Sequence, residues 1–313
     1  VGGRIVGTAV DLRVRAMAEP FDPGWVRLEL SATGLSFTRR RQDPRSGHTS
    51  ARLLEETLSF MNVDDGVRLR VETDLVPGTG LGGSAAAAVA ALAAIGASLD
   101  RAPVTLGETS TFPAQPDVEA LAASAVRVER DGLGIAGGSQ DQIFAACGGM
   151  LDLRFDEGGL RGREVVAADP ALVAALAAGM LLVDTGQRRV SGEVIDRGRT
   201  SPEITRELIA AAGDVAQGLG EGSLPLVLAG MRRSAAAKTA RDPEANAGAA
   251  ALVRLLVPLG AEVVRMCGAG GGGHVLVWAP PDRHPEIFVA LGGAQVRRPA
   301  LSAPGVRLEA DDG

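Results

Sequence analysis

Between Val76 and Gly96 the sequence reads VPGTGLGGSAAAAVAALAAIG, a stretch that few folds accommodate. Its first part carries Pro77, Gly78, Gly80, Gly82 and Gly83. From Ser84 onward it is a nearly unbroken run of alanine, leucine and valine, which predicts a helix. The residues alone leave two readings of that join open. A glycine turn lets a small-residue helix pack closely. Equally, a glycine loop entering a helix presents unpaired N–H groups and roughly half an elementary charge to an anion. A Walker-type site is excluded because no lysine follows the loop; the whole chain has a single lysine, Lys238. Phosphate held here relies on backbone amides, the Ser84 hydroxyl, a metal or arginine.

Length and charge set the bounds on the rest. The 313 residues suffice for two medium-sized domains. Apolar content of 46% supplies a core, and with 3% aromatics and no tyrosine that core is filled by small side chains. The formal net charge of −6 argues against a nucleic-acid partner while leaving room for local arginine clusters that bind a phosphorylated small molecule. Only the alanine-rich helix approaches the length of a membrane span, and its glycine lead-in argues against that role. No signal-peptide pattern is seen, and Cys147 and Cys267 stand alone, each beside glycine and apolar residues. A reduced, cytoplasmic setting with buried thiols is expected.

Residues 1–16, VGGRIVGTAVDLRVRA, read as one β-branched strand. WVRLEL at 25–30 and VRLRVET at 67–73 alternate with period two and read as two more. With a short helix from Ser50 to Met61 between them, three strands are expected before the glycine loop. Arg39, Arg40 and Arg41 fall in the connecting segment, either as a solvated loop or as a contact to a substrate phosphate. Beyond the alanine-rich helix, 101–117 reads as a surface loop. Val118 to Arg130 reads as a helix with Glu129 near its end. GGSQDQIFAACGG at 137–149 reads as a glycine break, a short helix with Asp141 at its start, and a second glycine pair. An aspartate at a helix start serves either as a cap or in chemistry.

Met150 to Phe155 is expected as a strand and 158–172 as the domain boundary. Gly179 to Asp184 reads as a buried strand, followed by TGQRRVSGEVI with its two arginines. Helices are expected at Glu203 to Gly213, Leu224 to Ala237 and 247–257. AEVVRMCGAGGGGHVLVWAP then reads as strand, glycine loop, strand, and the overall alternation points to α+β. Gly268, Gly270 and Gly273 satisfy G-x-G-x-x-G. The match to a dinucleotide fold is weak, because the loop enters a strand at His274 and no acidic residue stands about twenty positions on. The three histidines lack metal-ligand spacing, so His274 is expected to be packed or at the surface.

PGTGLGGSAAA resembles the phosphate-binding motif of the GHMP kinases, the family of galactokinase, homoserine kinase, mevalonate kinase and phosphomevalonate kinase. Pro77, Gly80, Leu81, Gly82, Ser84 and Ala85 fit its pattern, with Gly83 where many members have a first serine. GGSQDQIFAACGG resembles the segment holding the family's catalytic aspartate, in the version found in kinases of heptose 7-phosphate. The glycine loop at 268–273 resembles the family's C-terminal motif, which folds over the active site. The family's opening strand and sugar-contacting glycine loop are not seen, Val1 standing after that point.

The resemblance implies an α+β, two-domain GHMP kinase fold. A ribosomal-protein-S5-like N-terminal domain is expected over residues 1–165 and a ferredoxin-like C-terminal domain over 166–313. It implies ATP and Mg²⁺ as cofactors. Pro77, Gly78, Gly80, Leu81, Gly82, Gly83, Ser84 and Ala85 would hold the phosphates, Ser84 and Glu129 the metal, and Asp141 would act as general base. Gly138, Gln140, Gly270, Gly271 and Gly272 are implied at the substrate. With one lysine in the chain, arginine is the available cation for a second substrate phosphate, which its fork grips at two points; Arg188 and Arg189 are the candidates. The expected reaction is phosphorylation of the anomeric hydroxyl of a sugar phosphate, heptose 7-phosphate giving the 1,7-bisphosphate. The alternatives are a fucose- or galactose-type 1-kinase, a kinase of an octose phosphate, and a non-catalytic binding protein of the same fold, the last disfavoured by the intact Asp141, Ser84 and glycine loops. The expected partner is a small-molecule sugar phosphate, with no nucleic acid, no membrane, and a monomer or homodimer as the working state.

Overall fold

Period-two alternation in WVRLEL and VRLRVET turns Val26, Leu28, Leu30, Val67, Leu69 and Val71 to one side, and all are buried. The computed structural model describes residues 2–73, 75–98, 117–135, 137–188 and 201–309. The chain forms two compact units interleaved in sequence. One comprises Val1–Asp11, Gly78–Leu81 and Gly149–Ala303; the other comprises Leu12–Pro77, Gly82–Gly148 and Pro304–Gly313. In chain order, β1 (Gly3–Thr8) belongs to the first unit. The second is built from β2 (Val14–Pro20), β3 (Trp25–Leu30), β4 (Leu35–Arg40), α1 (Thr49–Phe60), β5 (Val67–Thr73), α2 (Gly83–Ser98), α3 (Val118–Arg127) and α4 (Gln140–Cys147). The first unit resumes with β6 (Met150–Asp156), β7 (Gly159–Val165), α5 (Pro170–Gly179), β8 (Met180–Asp184), α6 (Pro202–Glu221), α7 (Leu224–Arg241), α8 (Ala247–Leu256), β9 (Val263–Met266), β10 (His274–Trp278), α9 (His284–Ala290) and β11 (Val296–Arg297). The α+β class expected from the sequence is the observed one.

In the second unit the sheet order is β2-β5-β3-β4, with β3 and β5 parallel and the other pairs antiparallel. The helix α2 packs on β2 and touches α1, α3 and α4. Ala85, Ala88, Val89, Leu92 and Ile95 are all buried, as a helix apolar on every side requires. Among the described residues five strands, not three, precede the glycine loop. The expected single strand at 1–16 is two, because β1 pairs with β6 while β2 pairs with β5 in another sheet. The segment carrying Arg39 and Arg40 is β4, not a solvated loop. Arg39 turns inward and donates from Nε to Oε1 of the buried Glu55 at 3.0 Å, so its charge is committed. Arg40 stacks on Trp25 at 4.9 Å, and Arg41 pairs with Asp64.

In the first unit β1, β6 and β7 form an antiparallel sheet, and a second antiparallel sheet runs β11-β8-β10-β9. The helix α6 packs on α7 and on β1, and α7 also covers β9. Leu181, Val183, Val264, Met266, Val275 and Val277 fill the core between the second sheet and α8. Residues 158–172, expected as a boundary, hold β7 and the start of α5 within this unit. Gly158 lies in the β6–β7 turn and Gly159 opens β7, while Asp169 caps α5 ahead of Pro170; the same residue types mark linkers. The expected surface loop at 101–116 lies outside the described residues. Among the described residues no helix is long and apolar enough to cross a membrane.

The outward face of the second unit's sheet is held by charge. The Glu29 carboxylate accepts hydrogen bonds from Arg70, Arg27 and Arg68, and Arg68 also donates to Glu19. Burial pushes this carboxyl up, but the hydrogen bonds from Arg70, Arg27 and Arg68 outweigh it and bring it from the ordinary 4.5 down to about 2. A depressed carboxyl stabilises the fold fully above its unfolded value and loses that contribution as pH falls toward 2. Partial solvent screening limits the effect to about 1–2 kcal/mol. Glu29→Gln should therefore lower the melting temperature by a few degrees at pH 7, and thermal melts of parent and variant should converge as the pH is lowered from 5 toward 3. A gap independent of pH would show that the charge cluster contributes nothing.

Candidate active site

The first glycine loop uses backbone that side chains resist. Gly78, Gly80 and Gly82 have φ of +81°, +76° and +72°, alternating with residues of ordinary φ. Such alternation turns successive N–H groups to one side, the geometry of an anion-binding concavity. At Gly83 the chain enters α2, whose first N–H groups have no partner within the helix.

Within the second unit that helix start meets the predicted acid. A Cβ added at Gly82 would lie 3.4 Å from Cβ of Asp141, 3.5 Å from its Cγ and 3.8 Å from Oδ2. Asp141 is the second residue of α4, and Ser139 occupies the cap position, so Asp141 is not the N-cap. Its side chain is exposed. Gly138 leaves the space taken by the Gln140 side chain, since a Cβ there would collide with the amide oxygen.

Glu129 is reached through an irregular turn. After α3 the chain widens into a π-helical turn, Val128–Gly132, and the Ile135 N–H bonds back to the Glu129 carbonyl at 3.0 Å. Turns of this kind recur at functional sites. The Glu129 side chain is buried, at 8% exposure, and Ser84 donates its hydroxyl proton to Oε1 at 2.6 Å. On its other oxygen Glu129 accepts from Nε2 of Gln142, a buried residue that the sequence reading passed over. Gly82, Ser84, Glu129, Asp141 and Gln142 are thus linked in one cluster. The hydroxyl and carboxylate at 84 and 129 supply hard oxygen donors. Among the described residues no group of three or more His, Cys, Asp or Glu could hold a metal, so a cation here would keep waters and share phosphate oxygens, the habit of Mg²⁺.

The first unit gathers three other predicted segments. Gly270, Gly271, Gly272 and Gly273 all have positive φ. Gly271 donates to the Ala245 carbonyl at 2.6 Å and Gly273 to the Gln187 carbonyl at 2.9 Å. A Cβ at Gly273 would strike the backbone carbonyl of Thr79, and the next residue, His274, donates its own N–H to that carbonyl at 2.9 Å. The His274 ring is buried, with Nδ1 3.3 Å from the same oxygen, as expected of a packed histidine. Segment 78–81, residues 187–188 and the second glycine loop therefore lie together. Arg188 makes a two-point ion pair with Asp184, at 2.8 Å for each contact. The Arg188 hydrogen bond and charge, with help from the Gly186 N–H, hold the Asp184 carboxyl below the usual carboxylate range. Arg189 lies outside the described residues. Lys238 is buried and donates from Nζ to the Met266 and Gly268 carbonyls, so it serves the second glycine loop, not a phosphate.

The family model for the GHMP kinases N terminal domain matches residues 48–149, and that for the GHMP kinases C terminal domain matches 215–294. The chain belongs to the GHMP kinase family. It is an ATP-dependent kinase. A comparison with curated proteins gives no match. Among solved structures the kinase resembles a D-glycero-D-manno-heptose 1-phosphate kinase from Bacteriodes thetaiotaomicron, at 19% identity and a TM-score of 0.74 over 99% of this chain and 92% of that one. It also resembles a Lactococcus lactis galactokinase complexed with galactose, at 14% identity and a TM-score of 0.72 over 98% and 90%. A Methanococcus jannaschii mevalonate kinase follows at 15% identity and a TM-score of 0.69 over 96% and 92%. At such identities the likeness speaks for the fold alone.

Gly82→Val should abolish Mg-ATP binding to the kinase, because a β-branched residue is strained at positive φ and would press on Asp141. Calorimetry decides it, with the melting curve as a control for folding. Unchanged affinity would remove 82–85 from the phosphate site.

Proposed function

We propose that this kinase transfers the γ-phosphoryl group of ATP to the anomeric hydroxyl of a sugar already phosphorylated at its far end, heptose 7-phosphate giving the 1,7-bisphosphate. The observation that carries the transfer itself is the placement of Asp141 against Gly82, an acceptor carboxylate at the amide end of a glycine loop. Residues 78–85 hold the phosphates through backbone N–H groups and the Ser84 hydroxyl. Ser84 and Glu129 would hold Mg²⁺, which when bound would neutralise charge on the phosphate oxygens. Asp141 takes the proton of the acceptor hydroxyl as its oxygen bonds to the γ-phosphorus and the bond to the β–γ bridging oxygen breaks, releasing ADP. Gly138 and Gln140 flank the acceptor beside Asp141 in this reading, and Gly270, Gly271 and Gly272 of the second glycine loop are carried as further substrate-binding candidates.

Support for the heptose phosphate comes from GGSQDQ and from the heptose 1-phosphate kinase among the structural neighbours. Arg188 and Arg189 grip the distal phosphate in this reading. A second reading has its own observation: both terminal nitrogens of Arg188 are engaged by Asp184, so an unphosphorylated sugar leaves that ion pair undisturbed. The galactokinase likeness fits this alternative.

ADP release with heptose 7-phosphate, free heptose, galactose and fucose separates the two. The phosphate reading expects the phosphorylated sugar to win by ten- to a hundredfold, the worth of one charge-assisted contact of about 1.5–3 kcal/mol, with the advantage lost in Arg188→Ala and Arg189→Ala. Equal turnover of the free sugars gives the second reading. On either substrate Asp141→Asn should cut turnover about a hundredfold or more with ATP affinity retained. A loss smaller than about threefold would reduce Asp141 to a structural role.

A further inference from the structure

A carboxylate only accepts hydrogen bonds, so the amide that faces Glu129 must present its Nε2–H. That settles which way Gln142 lies and leaves its Oε1 turned elsewhere, buried and without a hydrogen-bond partner among the described residues. Gln142 is 5% exposed and sits in the first turn of α4, immediately after Asp141. A methionine or leucine would fill the same space without stranding a buried oxygen, so packing alone does not account for an amide here. Its N–H, by contrast, has a specific task. The torsion that rotates a carboxylate is broad and roughly two-fold, and a single bond from Ser84 to Oε1 does not fix it. A second bond on Oε2 does.

We propose that Gln142 is a positioning residue for the metal pair. It holds the Glu129 carboxylate in one orientation, with Oε1 on the Ser84 proton and Oε2 on the Gln142 Nε2–H, so that the Ser84 oxygen and the carboxylate would be kept in place for a cation. The proposal rests on the reading of Ser84 and Glu129 as metal ligands. Partners of this kind typically change metal affinity by about ten- to a hundredfold.

The test measures, by calorimetry, the factor by which Mn²⁺ tightens binding of a non-hydrolysable ATP analogue, in the parent and in Gln142→Met, Gln142→Leu, Ser84→Ala and Glu129→Gln. Melting temperatures without metal are recorded alongside. The expected result is a loss of about tenfold or more in that metal-linked factor for both Gln142 variants, a matching rise in the Mg²⁺ needed for half-maximal turnover, and affinity for metal-free nucleotide unchanged. Unchanged Mn²⁺ linkage in Gln142→Met, with Ser84→Ala and Glu129→Gln both weakened, would overturn the role of Gln142 and leave the metal pair standing. Linkage unchanged in all four variants would remove the metal pair and Gln142 together. A melting temperature lowered in Gln142→Met with intact metal linkage would make Gln142 a packing residue only.

Discussion

No side chain fits between Gly273 and Thr79. The two glycine loops meet backbone to backbone, and the carbonyl of Thr79 is taken up by the N–H of His274 at the first position of β10. That strand is paired on both sides, with β8 and with β9, so segment 78–81 hangs from an interior strand of its sheet. Interior strands open least readily, which gives a loop of glycines a defined shape that its own residues do not supply. Close approach accounts for three of the glycines themselves: at Gly270, Gly272 and Gly273 the backbone passes Ala245, Gln187 and Thr79 at distances that leave no room for a Cβ.

Charge is handled in a consistent way across the protein. Among the described residues several arginines are held by carboxylates where they stand: Arg39 by Glu55, Arg188 by Asp184, and Arg27, Arg68 and Arg70 around Glu29, with Glu19 also on Arg68. The depressed Asp184 carboxyl remains ionised near neutrality, so any anion reaching Arg188 competes with a partner already in place. In the proposed reading this leaves the phosphates to main-chain amides and a cation, in a kinase with no lysine at its first glycine loop.

Much of the local structure around the candidate site was legible because it is written locally. The turn into α2 follows from glycine and alanine, the short α4 from the glycine pairs that bracket it, and the strand, loop and strand around 268–273 from apolar runs that glycine interrupts. The parts that were missed depend on distant partners. β4 was hidden by arginines because an inward Arg39 is explained only by the buried Glu55 on α1. The split of the first strand follows from which sheets accept its halves, and residues 8–14 carry no break strong enough to show it. Gln142 gave no signal at all, since its meaning lies in a carboxylate thirteen positions away that a π-helical turn brings into reach.

All but one of the 32 basic side chains are arginines, and the exception, Lys238, is 7% exposed with its ammonium bound to the carbonyls that open the second glycine loop. Acylating reagents and enzymes that modify lysine therefore meet no accessible side-chain amine on the folded chain. The reaction of that single amine reports how often the end of β9 and the start of the adjoining loop come open, a local equilibrium that most proteins, crowded with surface lysines, would conceal.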